Sequence, residues 1–128
     1  MLNSITANLM AESVSATKEF YQDMLGFSEV TSVPDEAGGL QFAIVQRDAC
    51  LLMFQERQNL GEEYPCLATD KVRPGITLYI KVNDFAGFYA EVKGKVRVLH
   101  DVHTTFYGSR EFAFADNNGY VLTIAENV

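Results

Sequence analysis

One arrangement of polar and apolar residues runs through this chain twice, which restricts the fold to two copies of one small unit. The first copy opens with Ile5-Thr6-Ala7-Asn8-Leu9-Met10. Polar Glu12 and Ser13 follow, and then Val14 to Met24, where Val14, Thr17, Phe20, Tyr21, Met24 and Leu25 recur at the spacing of one apolar helix face. The second copy opens with Ile76-Thr77-Leu78-Tyr79-Ile80-Lys81-Val82. It continues through Asn83-Asp84 to a helix from Phe85 to Lys93, with Phe85, Phe88, Tyr89 and Val92 on one side. Thr6 and Thr77 stand at the same offset as Ser13 and Asp84, and the latter two are placed to accept from the first free helical N–H groups. Gly26 and Gly94 are the predicted helix stops, because glycine takes the left-handed conformation without a Cβ clash. Strands are predicted after each helix: Glu29 to Val33, Leu40 to Gln46 and Cys50 to Gln55, then Val96 to Leu99, Glu111 to Ala115 and Tyr120 to Ala125. Two such units packed about a pseudo-twofold would place equivalent strand positions around a shared concavity.

At 128 residues the expectation is one domain with a core of its own. Module one covers about 4–56, a linker 57–74 and module two 75–127. No apolar run reaches the ~18 residues of a membrane span, and no basic segment with an apolar run opens the chain, so neither a membrane partner nor a signal peptide is expected. A net charge of −7 argues against a nucleic-acid partner, which needs a basic face, and favours cationic ligands mildly. Cys50, in a predicted strand, and Cys66, in a polar loop, lack a close motif and suggest free thiols in the cytoplasm.

Glu56 to Pro74 shows no helical or strand period. Unstructured connections beyond ~12–15 residues tend to be functional, so this one either closes over the groove or carries the chain between the halves. Tyr64, Pro65 and Cys66 are its members apolar enough to touch a ligand. Gln46 to Ala49 and Asp116-Asn117-Asn118-Gly119 separate apolar runs, and Asn-Gly is a strong hairpin signal. Along Arg110 to Asp116, alternation puts Phe112 and Phe114 under a helix and Glu111, Ala113 and Ala115 toward the groove.

Phe20-Tyr21-Gln22-Asp23-Met24-Leu25-Gly26-Phe27, and Tyr107-Gly108-Ser109-Arg110-Glu111-Phe112 followed by Asp116-Asn117-Asn118-Gly119-Tyr120, resemble two segments of the glyoxalase/bleomycin-resistance/dioxygenase superfamily. The likeness spans nearly the whole chain, with Asn117 where the family usually has proline. It implies an α+β fold of paired βαβββ modules, with helices packed outside a cupped mixed-sheet groove, and commonly a homodimer. Metal-dependent members hold a divalent cation with His and Glu from inward strand positions. The corresponding positions here are Thr6, Met53, Thr77 and Thr123, with Leu52 the alternative to Met53. None supplies the imidazole nitrogen or carboxylate oxygen that such ions prefer, so no metal and no cofactor is expected. His100 and His103 are the only histidines. Three residues apart on an extended strand, they point to opposite faces unless the chain turns there.

The resemblance therefore sits closest to the metal-free bleomycin-resistance-like members. It implies a protein that binds a small molecule without changing it, a cationic or aromatic compound such as an antibiotic. The groove residues are Thr6, Asn8, Leu51, Met53, Gln55, Thr77, Tyr79, Tyr107, Glu111, Ala113 and Thr123, a mixture expected of a binding pocket. Tyr79 and Tyr107 are placed to stack on a planar ligand, and Glu111 to favour a cation. No catalytic residue is assigned. The alternative is a glyoxalase-type lyase or isomerase, or a dioxygenase, with a non-standard metal site. A metal-free general acid or base would have to be Glu111 or His103, with Tyr107 donating to an oxyanion.

Overall fold

A computed structural model describes residues 1–127, in two compact units, 1–72 and 73–128 with its last residue outside the description. The first unit runs β1 (Ala7–Ala11), α1 (Val14–Leu25), β2 (Ser28–Pro34), β3 (Leu40–Arg47), β4 (Cys50–Glu56) and α2 (Arg57–Glu63), with a 3-10 turn at Pro65–Leu67. The second runs β5 (Thr77–Val82), α3 (Phe85–Val92), β6 (Arg97–Thr104), β7 (Arg110–Ala115) and β8 (Val121–Glu126). Their sheets have the equivalent orders β1-β4-β3-β2 and β5-β8-β7-β6, the first strand parallel to the last and the other pairs antiparallel. This is the expected α+β fold of two βαβββ modules.

α1 and α3 each cover one face of their own sheet. In the first unit Val14, Thr17, Tyr21 and Leu25 are buried on α1, and the Tyr21 ring meets Phe54 of β4 at 4.9 Å between centroids and Phe27 edge-on at 5.5 Å. In the second, Phe112 lies beneath α3, edge-on to Tyr89 at 4.9 Å and to Phe85 at 5.6 Å. Phe112 and Phe114 thus take the helix side, as alternation predicts. Both N-caps stand where expected: Ser13 accepts from the Ala16 amide at 3.1 Å and Asp84 from the Gly87 amide at 3.0 Å.

Gly26 ends α1 with φ 72°, and its Cβ-less face lies against the Arg47 guanidinium, which donates to the Leu25 carbonyl at 2.7 Å. Gly94 does not do the same, contrary to expectation. Right-handed Lys93 closes α3, and Gly94 is not among the glycines of positive φ. Lys95 instead returns its amide to the Val92 carbonyl in a turn that any residue can adopt. The Asn-Gly turn forms as expected, with Gly119 at φ 93° and the Asp116 carboxylate accepting from the Asn118 and Tyr120 amides.

Three further boundaries depart from the sequence reading. The first strand begins at Ala7, leaving Thr6 just ahead of it. β6 extends past Leu99 to Thr104 and takes in both histidines. Residues 57–67 are not irregular: Glu56 caps α2 through its own carboxylate, which accepts from the Gln58 and Asn59 amides at 2.8 and 3.0 Å. Arg57 ties that helix down, donating to Glu12 at 2.6 Å and to the Thr69 carbonyl at 2.8 Å. Cys50 is half-buried and Cys66 exposed, and both are free thiols. Among the described residues no helix is long and apolar enough to cross a membrane.

Candidate functional site

In the first unit the sheet face turned away from α1 carries a polar cleft. The ladder sets Asn8 beside Met53 on β1 and β4, while Gln55, Phe42 and Val33 form one row across β4, β3 and β2. α2 adds Asn59 from its first turn and Glu62 and Glu63 from its last, and Tyr64 follows. With Gln41 and without Met53, these residues line an open cleft of about 720 Å³, within the usual range for small-molecule sites.

Its floor is a chain of amides centred on Gln55, which is only 7% exposed. Gln55 Oε1 accepts from Asn8 Nδ2 at 2.9 Å, and Gln55 Nε2 donates to Asn59 Oδ1 at 2.7 Å and to Glu63 Oε1 at 2.9 Å. Both Gln55 amide hydrogens are therefore committed, and the direction of the chain ends on a carboxylate. Such a network holds its members in one geometry because each polar group has a partner.

The second unit carries a different cluster on the sheet face opposite α3. Pairing places Tyr79, Thr123, Ala113 and His100 in one row, and Lys81, Ala125, Glu111 and His103 in the next. Glu111 is buried, and its Oε2 accepts from the Tyr79 hydroxyl at 2.5 Å and from the Tyr107 hydroxyl at 2.8 Å. Burial alone would raise the Glu111 carboxyl. The bonds from Tyr79, Tyr107 and Ser109 and the charge of His103 together outweigh it and hold the group below its ordinary value. The same bond from Glu111, aided by desolvation, pushes the Tyr79 phenol up to about 12. Glu111 is thus an ionised anchor for two half-exposed tyrosines rather than an open counter-ion.

The histidines break the alternation rule. Register shifts between Val98 and His100, and again between His100 and His103, insert extra residues, so His100 pairs with Ala113 and His103 with Glu111 on one face. Their rings stack at 3.8 Å, 10° from parallel. His103 Nδ1 lies 2.8 Å from the Asp101 carbonyl, which can only accept, so Nδ1 carries the proton and a neutral ring has its lone pair on Nε2.

The residues read from sequence therefore divide between the units. Asn8 and Gln55 line the cleft; Met53 shares their sheet face, half-exposed Leu51 sits farther along β4, and Thr6 precedes β1. Thr77, Tyr79, Glu111, Ala113 and Thr123 share one face of the second sheet, and Tyr107 reaches Glu111 from the β6–β7 turn. Glu126, beyond the strand's inward positions, pairs with Arg110 at 3.1 Å. Sequence reasoning missed Gln41 on β3, and Asn59, Glu62 and Glu63, whose placement depends on α2. The one available signal was a carboxylate at Glu56 followed by unpaired amides, an unusual capping residue.

Metal-dependent relatives need a ligand set that these residues do not fit. Thr6, Met53, Thr77 and Thr123 offer neutral hydroxyls and a thioether, poor donors to Zn²⁺, Ni²⁺ or Fe²⁺. Among the described residues no three His, Cys, Asp or Glu side chains cluster as a metal site.

Solved structures share the fold across the chain. A glyoxalase-related enzyme from Fulvimarina pelagi is 21% identical, with 98% of this chain and 89% of that one covered at a TM-score of 0.78. A lactoylglutathione lyase from Agrobacterium tumefaciens is 20% identical over 98% and 95%, at 0.75. TioX from Micromonospora sp. ML1 is 14% identical over 98% and 99%, at 0.77. No curated protein matches the chain in sequence. The sequence model of one family matches residues 2–124, and with two βαβββ modules in the described fold the chain belongs to the Glyoxalase/Bleomycin resistance protein/Dioxygenase superfamily.

Proposed function

We propose that this protein binds a small molecule without a metal and without changing it, sequestering a cationic or aromatic compound such as an antibiotic. The observation that carries the reading is the side-chain chemistry at the four positions where metal-dependent relatives place their ligands: Thr6, Met53, Thr77 and Thr123. The polar cleft of the first unit and the paired tyrosines of the second supply binding surfaces that need no metal. The natural assembly in this reading is a homodimer, supported by exposed aliphatic side chains on the edge strands β2 (Val30, Val33) and β6 (Leu99, Val102).

The test is elemental analysis of untagged protein incubated with Ni²⁺, Zn²⁺, Mn²⁺ and Fe²⁺ and then desalted. Retention below about a tenth of an equivalent supports the reading. Near one equivalent per chain overturns it.

A second reading has one observation in its favour. The β6 bulges bring His100 and His103 onto the face of Glu111, the residue types a lyase, isomerase or dioxygenase with a non-standard site would use, although they do not cluster as a metal site as they stand. The name of the lactoylglutathione lyase neighbour makes the lyase assay the first to run. Metal retention abolished by His103→Ala would support this reading, and lyase activity abolished by the same change would establish it.

A further inference from the structure

The cleft of the first unit holds a charge arrangement that its own fold does not balance. Glu62 and Glu63 occupy the last turn of α2, where the helix dipole favours a cation, and that turn contains no basic residue. No lysine or arginine is among the residues lining the cleft. Glu63 is nonetheless fixed in place by Gln55 Nε2, a neutral donor that satisfies one carboxylate oxygen without cancelling its charge. The Glu63 carboxylate is therefore held at the negative end of a helix with Glu62 beside it in the cleft wall, in a chain of net charge −7, at a position that costs the helix stability.

The rest of the wall says what kind of cation would relieve this. Tyr64, 51% exposed, stands directly after the acidic pair, and Phe42 and Val33 supply an apolar flank on the sheet. A bare metal ion would find only carboxylates and amides and would leave those apolar groups wet. A flat organic cation satisfies both, with its charged nitrogen against Glu62 and Glu63 and its ring on Tyr64 and Phe42. The amide floor offers hydrogen-bonding groups to ring nitrogens or amino substituents.

Resting on the proposal that the chain is a small-molecule binder, we infer that this cleft is a binding site for a planar, protonated aromatic amine. It is read by Glu62, Glu63 and Tyr64 over the Gln55 floor. Glu111 of the second unit is not the cation's partner, because its carboxylate is buried and already accepts from two phenols.

The experiment is a fluorescence titration at low ionic strength with three probes of similar ring size: proflavine (cationic), 9-hydroxymethylanthracene (neutral) and anthracene-9-carboxylate (anionic). The proteins are the wild type, the double variant Glu62→Gln with Glu63→Gln, Tyr64→Leu, and the surface control Glu19→Gln with Asp23→Asn, an equal charge change on exposed α1 positions. Proflavine is expected to bind at one site and at least about tenfold tighter than the other two probes. The double variant loses about tenfold in affinity and the surface control less than twofold, as two partly exposed charge contacts imply. Tyr64→Leu, which keeps both carboxylates, weakens proflavine without lowering the melting temperature. Equal affinity for the neutral ring, or proflavine binding unchanged in the double variant, overturns the cation site while leaving a binder. No binding of any probe at millimolar concentration also overturns it, and the binder reading then stands or falls on the metal analysis.

Discussion

Replacing Gln55 by leucine, of similar volume, tests whether the amide floor is a built feature of the first unit. Gln55 makes two neutral hydrogen bonds, with Asn8 and Asn59, and one to the Glu63 carboxylate. Neutral bonds contribute about 0.5–1.5 kcal/mol each and bonds to a charged group about 1.5–3 kcal/mol, so the unrelieved loss is several kcal/mol. Two effects offset it. Asn8 and Glu63 are exposed enough to recover water, and leucine at a position only 7% exposed gains apolar burial. The expected cost of Gln55→Leu is then about 1–2 kcal/mol, read as a lower urea midpoint at unchanged slope. A variant as stable as wild type would refute the claim that the network organises the cleft. A loss above about 4 kcal/mol would show that Asn59 and Asn8 cannot rehydrate, contrary to the open cleft. Gln55→Glu supplies a sign check: a carboxylate facing Glu63 raises the pKa of the pair above the unfolded value. Its relative stability is greatest in acid and falls as pH rises through the raised value.

Phe112→Ala removes a fully buried ring that touches Phe85, Tyr89 and Phe114, with an expected loss of about 3–5 kcal/mol in denaturant unfolding. Tyr79→Phe removes a phenol that ionises late in an alkaline absorbance titration. The wild-type contribution of that phenol is complete below its ordinary pKa and disappears as pH rises through about 12. Glu111 has the opposite sign, since its folded pKa is lowered: its contribution is complete above the ordinary carboxylate value and disappears as pH falls through the lowered one. Glu111→Gln should therefore flatten the acid limb of stability against pH, and an unchanged limb would remove Glu111 from the account. Gly26→Ala places a Cβ at φ 72° and 3.2 Å from the Arg47 guanidinium, with an expected cost of about 1–2 kcal/mol in thermal unfolding.

What could be read from sequence was what short-range chemistry dictates. Ser13 and Asp84 cap because a hydroxyl or carboxylate just ahead of an apolar period has unpaired amides to accept from, and Phe112 and Phe114 alternate with Glu111 because the strand there is regular. The failures lie where the local pattern and the decisive contact belong to different parts of the chain. Gly94 looks like a stop, yet α3 ends one residue earlier in right-handed geometry. The histidines look opposed because two-residue alternation assumes an unbroken ladder, whereas β6 bulges against β7. α2 escaped notice because Leu60 is its one buried residue, too few for a period. Its helix is held instead by the Glu56 cap and by Arg57 bridging to Glu12 and Thr69. The same missed helix carries Asn59, Glu62 and Glu63, so losing it in the sequence lost the cleft as well. An element with almost no core of its own does not owe its place to burial. An acidic pair at its C-terminal end, against the dipole, works against it further. A helix anchored by side-chain bonds and ending in unfavourable charge is what the proposed amine site requires, since there the compensating charge arrives with the ligand.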